Sequence, residues 1–384
     1  MAQWNRVPLI DYIELIGGGT PKTTVPEYWN GNIPWLSVKD FNNDKRYVYS
    51  TEKHISQSGF ENSPTKMLHK DDIIISARGT VGEIAMIPFD MAFNQSCYGI
   101  RASRGIDKPF LYYLLKNCIS QLKRMTHGSV FDTITRDTFA NIEVDIPDAE
   151  TQKRISSVLA DIDNKIEVND AINDNLQQQA AALFSSLYDR TNTEVRFTDL
   201  IQILGGGTPK TGENTYWNGN IAFFTPKDVG TPYTLITEKT ITEEGLSHCN
   251  SRLYPVNTVF VTARGTVGKV GMSGVPMAMN QSCYALVGKE THQLLVYFYT
   301  LKVVDRLKHK ASGAVFDAIT TKDFESEQIM KLSDDDARAF ICIAEPMFQK
   351  VLNNCIENLR LSTLRDSLLP KLMSGEIDVS AVQL

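Results

Sequence analysis

A chain of 384 residues is longer than one ordinary hydrophobic core serves and implies two or three domains. Its 42% hydrophobic and 22% charged residues are those of a soluble globular protein, with no apolar run near the ~18 residues of a membrane span and no signal-peptide layout in the opening "MAQWNRVPLIDY". Six scattered cysteines without a CxxC pair point to a reducing cytoplasm rather than a disulfide framework or zinc site, and a net charge of −6 argues mildly against a nucleic-acid binder.

In chain order, the first motif is "GGGTPKT" at 17–23, a Gly-rich run that returns at 205–211. It fails as a phosphate-cradling P-loop: the spacing is one residue short, and Pro21 stands where glycine must precede Lys22. Its glycines read instead as a tight turn. "YWNGNI" at 28–33 returns at 216–221, "TEK" at 51–53 returns at 237–239, and "ARGTVG" at 77–82 returns at 263–268. "NQSCY" at 94–98 returns at 280–284 and "VFD" at 130–132 at 315–317. The displacement shrinks only from 188 to 185, so the whole chain is a duplication whose length changes sit in loops, one of them at 41–50.

Within each copy, "NIPWLSVKD" and "NIAFFTPKD" read as strands, as do "DDIIISARG" and "NTVFVTARG", which end in an Arg-Gly turn. "FLYYLLKNCISQLKRM" and "QLLVYFYTLKVVDRLKHK" read as helices that finish basic. Each copy then enters an acidic segment: 148–190 carries eight acids against four bases, and 334–384 carries eight against five. In the first, Ile155, Ile162, Asn169, Leu176 and Leu183 alternate by four and three with Leu159, Ile166, Asn173, Ala180 and Leu187. In the second, Phe340, Met347, Asn354, Leu361 and Leu368 alternate with Ala344, Val351, Asn358, Arg365 and Leu372. This is a coiled-coil seam with register-fixing asparagines at matching positions. A helix of about 40 residues spans ~60 Å, and antiparallel pairing is the simplest closure, with an internal pseudo-twofold axis. The alternative is two amphipathic helices packed on separate domains. Pro346 is expected to delay or kink the second helix, and the tail after Pro370 to be frayed or bound to a partner.

No catalytic or metal-binding constellation is present. The six histidines show no ligand spacing and none is matched by a histidine in the other copy; Cys97 and Cys283 are matched but lack a matched base and read as small buried residues. "NIPW" has the second-copy counterpart "NIAF", which lacks the proline of an amino-methyltransferase loop, and no strand leads into a Gly-rich turn suited to S-adenosylmethionine.

What repeats is cationic and polar. Lys22/Lys210, Lys39/Lys227 and Arg78/Arg264 are matched cations, and Lys123, Arg124, Arg306, Lys308 and Lys310 sit on the basic helix ends. Such groups hold DNA phosphates or read base edges. The competing readings are that Arg78 caps a strand with a salt bridge and that Tyr28-Trp29 and Tyr216-Trp217 are packing aromatics; Asn94-Gln95 and Asn280-Gln281 could read adenine, but their identity in both copies fits a structural turn better. The unmatched stretches 41–50 and 229–236, and those around 54–69 and 240–255, are the places to look for base readout. A DNA reader and a two-armed structural adaptor that binds protein partners both fit.

"GGGTPK", "YWNGNI", "ARGTVG", "NQS" and "IEVDIPDAETQKRI" running into a long helix together resemble the specificity subunit of a type I restriction–modification system, over essentially the whole chain. The resemblance implies an α+β chain: target-recognition domains at 1–147 and 191–332, each followed by a conserved helix, at 148–190 and 333–384, the two helices forming an antiparallel coiled coil. It implies a non-catalytic cytoplasmic protein that reads one half of a bipartite double-stranded DNA site with each domain, the helix pair setting the spacer. The implied partners are two methyltransferase subunits, which carry S-adenosylmethionine, and, in a complex that cleaves, restriction subunits, which carry ATP and Mg. The likeness of the two arms further implies half-sites that share bases, a near-palindromic target.

Overall fold

The computed structural model describes residues 4–126, 133–230, 232–310 and 318–379, the side chains of 124–126 excepted. The chain forms two compact units, Met1–Glu167 with Arg360–Leu384, and Val168–Leu359. These cut across a division in chain order. The first unit joins a globule to the start of one long helix and the end of the other; the second joins the remaining parts.

In the first unit, β1 (Asn5–Pro8) pairs antiparallel with β10 (Glu143–Ile146). A four-stranded sheet has β2 (Ile13–Gly17), β9 (Cys97–Ala102), β6 (Ile73–Ser76) and β7 (Ile84–Met86) in that order. A second sheet has β4 (Lys53–Ile55), β3 (Trp29–Leu36), β8 (Met91–Phe93) and β5 (Met67–Leu68). Ile73 and Ile75 of β6 face the core built around the helix Lys108–Thr126, whereas Ile74 faces Leu36 and Phe93 of the other sheet. A central strand covered on both faces is continuously apolar, which is why "DIIIS" does not alternate.

The second unit repeats the plan. β11 (Glu194–Arg196) pairs with β20 (Gln328–Met330). β12 (Ile201–Gly205), β19 (Cys283–Gly288), β16 (Val259–Thr262), β17 (Val270–Ser273) and β14 (Tyr233–Thr234) form one sheet. β15 (Lys239–Ile241), β13 (Trp217–Phe224) and β18 (Met277–Met279) form the other. Val259 and Val261 face the helix Gln293–Lys310, and Phe260 faces Phe224 and Met279. The copies differ at an edge: β14 pairs with β17, whereas Tyr47 makes only an isolated bridge to Met86. "YWNGNI" is a bulge in both, with Asn30 and Asn218 in left-handed backbone at φ 59° and 60° between register shifts.

The long helices are Ala149–Tyr188 and Asp334–Met373, 40 residues each. The Pro-x-x-x-x-Gln start of the first is a clamp. Buried Gln152 donates through Nε2 to the Pro147 carbonyl (2.9 Å) and accepts at Oε1 from the Asp107 N–H (2.9 Å), while Asp148 caps Thr151. Gln152→Ala is therefore expected to lower unfolding stability by about 1–3 kcal/mol, since it leaves buried groups unpaired; chemical denaturation would check this. The second helix starts on Ser333, whose hydroxyl caps Asp336. Ala337 stands where Gln152 does, and it lines a cleft of ≈ 690 Å³ with His292, Tyr299, Lys331 and Leu332.

Two expectations are corrected here. The second helix begins at Asp334, well before Pro346, so the proline does not delay it, and the helix runs on past the proline. Pro346 and Cys342 are both exposed, so the carbonyl that loses its N–H partner has water available. The tail is not frayed through residue 379: Leu372, Met373 and Val379 are buried in the first unit's core, with Ile377 packed against it.

Within the second unit the helices run antiparallel. Asn169 donates to Asn358 Oδ1 (2.8 Å) and Glu357 Oε2 (2.9 Å), Asn354 donates to Asn173 Oδ1 (2.8 Å), and Asn358 donates to Asp170 Oδ1 (2.8 Å). Asn169, Asn173 and Asn354 are buried, whereas Asn358, Leu176 and Met347, like Ile162 and Leu361 of the first unit, are half-buried. In the first unit Arg365 replaces an apolar residue of the seam. It pairs with Asp163 at 2.9 Å, both side chains being 4% exposed, and with Asp44 at 3.0 Å. Burial opposes its charge, but hydrogen bonds to Asp366 and Asp163 raise its pKa. The stretch 41–50, expected to be open for base readout, is tied down here: Asp44 meets Lys116 (2.8 Å) and Arg365, and Arg46 meets Glu167 (3.2 Å) and Asn164.

Candidate nucleic-acid interface

The Gly-rich loop follows the first strand of each large sheet. A Cβ on Gly18 would lie 2.0 Å from the Asn94 carbonyl oxygen, and one on Gly206 would lie 2.2 Å from that of Asn280. Only glycine lets this loop lie against the "NQS" turn. The Gly19 N–H donates to Phe93 O (2.9 Å), and the Trp29 and Trp217 indoles donate to the carbonyls of Lys22 and Lys210 (3.2 Å each). The tryptophans are thus packing residues that hold the loop, with edge contacts to Trp35 (5.2 Å) and Phe223 (5.5 Å). The Lys22 and Lys210 side chains are left exposed.

The "NQS" turn is built by its outer residues. Asn94 accepts at Oδ1 from the Ser96 N–H (3.1 Å), and the Ser96 carbonyl accepts from Ala77 (2.8 Å) and Arg78 (3.2 Å). Asn280, Ser282, Ala263 and Arg264 repeat these bonds. The turn therefore sets the position of the "ARGTVG" loop, which Ser76 closes by donating to the Thr80 carbonyl (2.5 Å) and accepting from Glu83 (2.8 Å). Gly79 and Gly265 sit at φ 79° and 81° facing open space. Arg78 and Arg264 are exposed, and neither has an ion-pair partner among the described residues. The strand-capping salt bridge is therefore not what holds them.

The other candidates divide. Lys39 and Lys227 are exposed, facing Glu52 (3.9 Å) and Glu238 (3.8 Å) in pairs that solvent screens. Lys123 and Lys308 lie over Gly82 and Gly268 of the "ARGTVG" loops, so these basic helix ends meet that loop in both units. Arg306 (3.9 Å) and Lys310 (2.5 Å) face Glu327, a carboxylate 2% exposed that needs compensation. The Arg124 side chain and the two "VFD" blocks lie outside what the structure describes. In the first unit Lys39, Arg78, Thr80, Asn94 and Ser96 line one cleft of ≈ 450 Å³. It also contains Lys53, which sequence reasoning passed over; Lys53 and Lys239 sit over the Trp29 and Trp217 rings (5.7 Å each). Their signal was available, since "TEK" is repeated, but a three-letter landmark does not reveal which face it joins.

Burial pushes the Cys97 and Cys283 thiols up to about 12, so both keep their protons at neutral pH. Among the described residues no His, Cys, Asp and Glu cluster could hold a metal ion, and no helix is long and apolar enough to cross a membrane.

The family model described as "Type I restriction modification DNA specificity domain" matches residues 1–178 and 190–331. The type I restriction enzyme MjaIX specificity subunit of Methanocaldococcus jannaschii is 24% identical, over 98% of this chain and 94% of that protein. The HindI specificity subunit of Haemophilus influenzae is 24% identical, over 70% and 77%. The crystal structure of the type I restriction–modification system S subunit from M. genitalium matches with a TM-score of 0.59 at 15% identity, over 97% of this chain and 96% of that one, a likeness of fold. One family model thus covers both repeats, with their paired turns and most of the long helix between them, and the chain belongs to the type I restriction–modification DNA specificity family.

Proposed function

We propose that this chain is the sequence-reading subunit of a type I restriction–modification complex. Each globule reads one half of a bipartite double-stranded DNA site, and the antiparallel helices set the unread spacer. The observation that carries this reading is the duplicated set of exposed cations, Lys22, Lys39 and Arg78 with Lys210, Lys227 and Arg264, on loops built by the same backbone contacts in both units, with Lys123 and Lys308 over the same loop in each. Exposed cations of this kind hold phosphates and reach base edges.

The chain itself supplies no methyl transfer or cleavage. Two methyltransferase subunits dock on it, using the acidic helices, and bring S-adenosylmethionine; restriction subunits, where present, bring ATP and Mg. The complex acts on cytoplasmic DNA. With recognition arms close to charge neutrality, the isolated chain is expected to bind DNA weakly, and much more tightly with the methyltransferases, whose cations add to the phosphate contacts.

Methylome sequencing of a host expressing this chain with its methyltransferase subunits tests the reading. A split motif with a fixed spacer is expected, its halves sharing bases. A continuous motif overturns the two-reader assignment, and absence of any sequence preference favours a two-armed protein adaptor. Two unrelated halves overturn the near-palindromic expectation alone.

A further inference from the structure

Gln95 occupies the tip of the "NQS" turn between β8 and β9. Its neighbours are committed: Asn94 and Ser96 bond the turn and the "ARGTVG" loop, and Cys97 is buried. Gln95 alone among them is exposed, yet its end is held, because the Thr20 hydroxyl donates to its Oε1. The second unit repeats this pairing, with exposed Gln281 accepting from Thr208. Thr20 and Thr208 belong to the Gly-rich loop, and the close approach allowed by Gly18 and Gly206 is what brings the hydroxyls to the turn.

A free surface glutamine keeps several rotamers, and ordering it costs free energy that a fold seldom spends on an exposed side chain. Holding it by its amide fixes where donor and acceptor point before any ligand arrives. Oε1 retains a second lone pair and Nε2 two N–H groups. One acceptor beside one donor complements the N6–H donor and N7 acceptor of adenine in the major groove, whereas guanine there offers two acceptors. Arg78 and Arg264 emerge next to the same turns through the Ser96 and Ser282 carbonyls, which places cations for the flanking phosphates beside the amide.

Building on the DNA-reading role proposed above, we propose that Gln95 and Gln281 each read one adenine in their half-site, with Thr20 and Thr208 as positioning residues that hold the amides. The identity of the two devices also means that the half-sites share this adenine at equivalent positions.

The test uses the complex assembled with its methyltransferase subunits and duplexes in which each base pair of the site is replaced in turn. Wild type is expected to lose about 10- to 100-fold in affinity when the read adenine of one half is replaced. Gln95→Ala is expected to abolish the discrimination at that position only, and Gln281→Ala at the equivalent position of the other half. Thr20→Val should weaken discrimination at the Gln95 position by a smaller factor, roughly 3- to 10-fold. Replacing adenines by 7-deazaadenine, which removes N7, probes the same contact without a protein variant and should weaken wild-type binding at one position in each half. The proposal is overturned if both alanine variants keep full discrimination everywhere, or if 7-deazaadenine weakens wild-type binding nowhere. Wild-type binding that ignores every replacement overturns the DNA-reading role itself.

Discussion

Arg365→Ala is expected to lower the stability of the first unit by about 3–5 kcal/mol, the usual cost of leaving a buried carboxylate without its partner. The carboxylate is Asp163, 4% exposed, held at 2.9 Å by Arg365 and at 2.7 Å by the Tyr113 hydroxyl. Asp163→Ala should cost less, because the guanidinium keeps Asp44 (3.0 Å) and Asp366 (2.9 Å) as partners. The second unit solves the same packing without charge. Tyr113, Asp163 and Arg365 correspond in the repeat to Phe298, Phe348 and Ala180. There Phe298 packs on Phe348 (5.6 Å), Phe184 (5.0 Å) and Phe340 (5.2 Å), and Ala180 is fully buried. Converting all three residues, Tyr113→Phe with Asp163→Phe and Arg365→Ala, is therefore expected to recover most of the loss, because a well-packed apolar cluster commonly equals or exceeds a buried ion network. Chemical denaturation of the single and triple variants measures both. A triple variant no more stable than Arg365→Ala would show that the network does more than fill this junction.

Arg78→Ala combined with Arg264→Ala is expected to weaken specific DNA binding by the assembled complex by about 2–4 kcal/mol, roughly 30- to 1,000-fold. Both side chains are exposed and free of ion pairs among the described residues, so stability should change by no more than ~0.5 kcal/mol and a loss of binding can be assigned to contact rather than unfolding. Anisotropy titrations across salt concentrations separate two modes of action. If both arginines hold phosphates, the slope of log affinity against log salt falls by about two with little change in sequence preference. If they read bases, discrimination relaxes at one position in each half. Unchanged affinity and unchanged salt slope in a folded double variant would remove both arginines from the interface.

Much of this protein is legible in its sequence. The duplication fixes the plan of both units, because the repeated blocks are those whose backbone geometry matters: the Gly-rich loop, the Asn-Gly bulge, the closed "ARGTVG" loop and the "NQS" turn. The seam is legible because helix and coiled-coil periods are local and repeat in register. Side-chain type along one strand or helix reports burial directly, so Ile73, Ile74 and Ile75 announce a covered strand and Asn169 and Asn354 a register-setting layer. Only the tertiary structure decided which polar groups meet. Arg365 and Asp163 lie 202 residues apart; the heptad pattern puts Arg365 in the seam without naming its partner, and Asp163 looks locally like a residue of a solvated helix face. The stretch 41–50 looks like a free loop until Asp44 and Arg46 find partners on the helices, and the tail looks frayed until Val379 finds a core. Thr20 and Gln95 are ordinary surface residues until a glycine brings their chains together across 75 positions. The physical reason is the same throughout: backbone period is encoded by neighbours in sequence, whereas pairing of charges and amides is set by packing between segments whose separation in sequence carries no record of their contact.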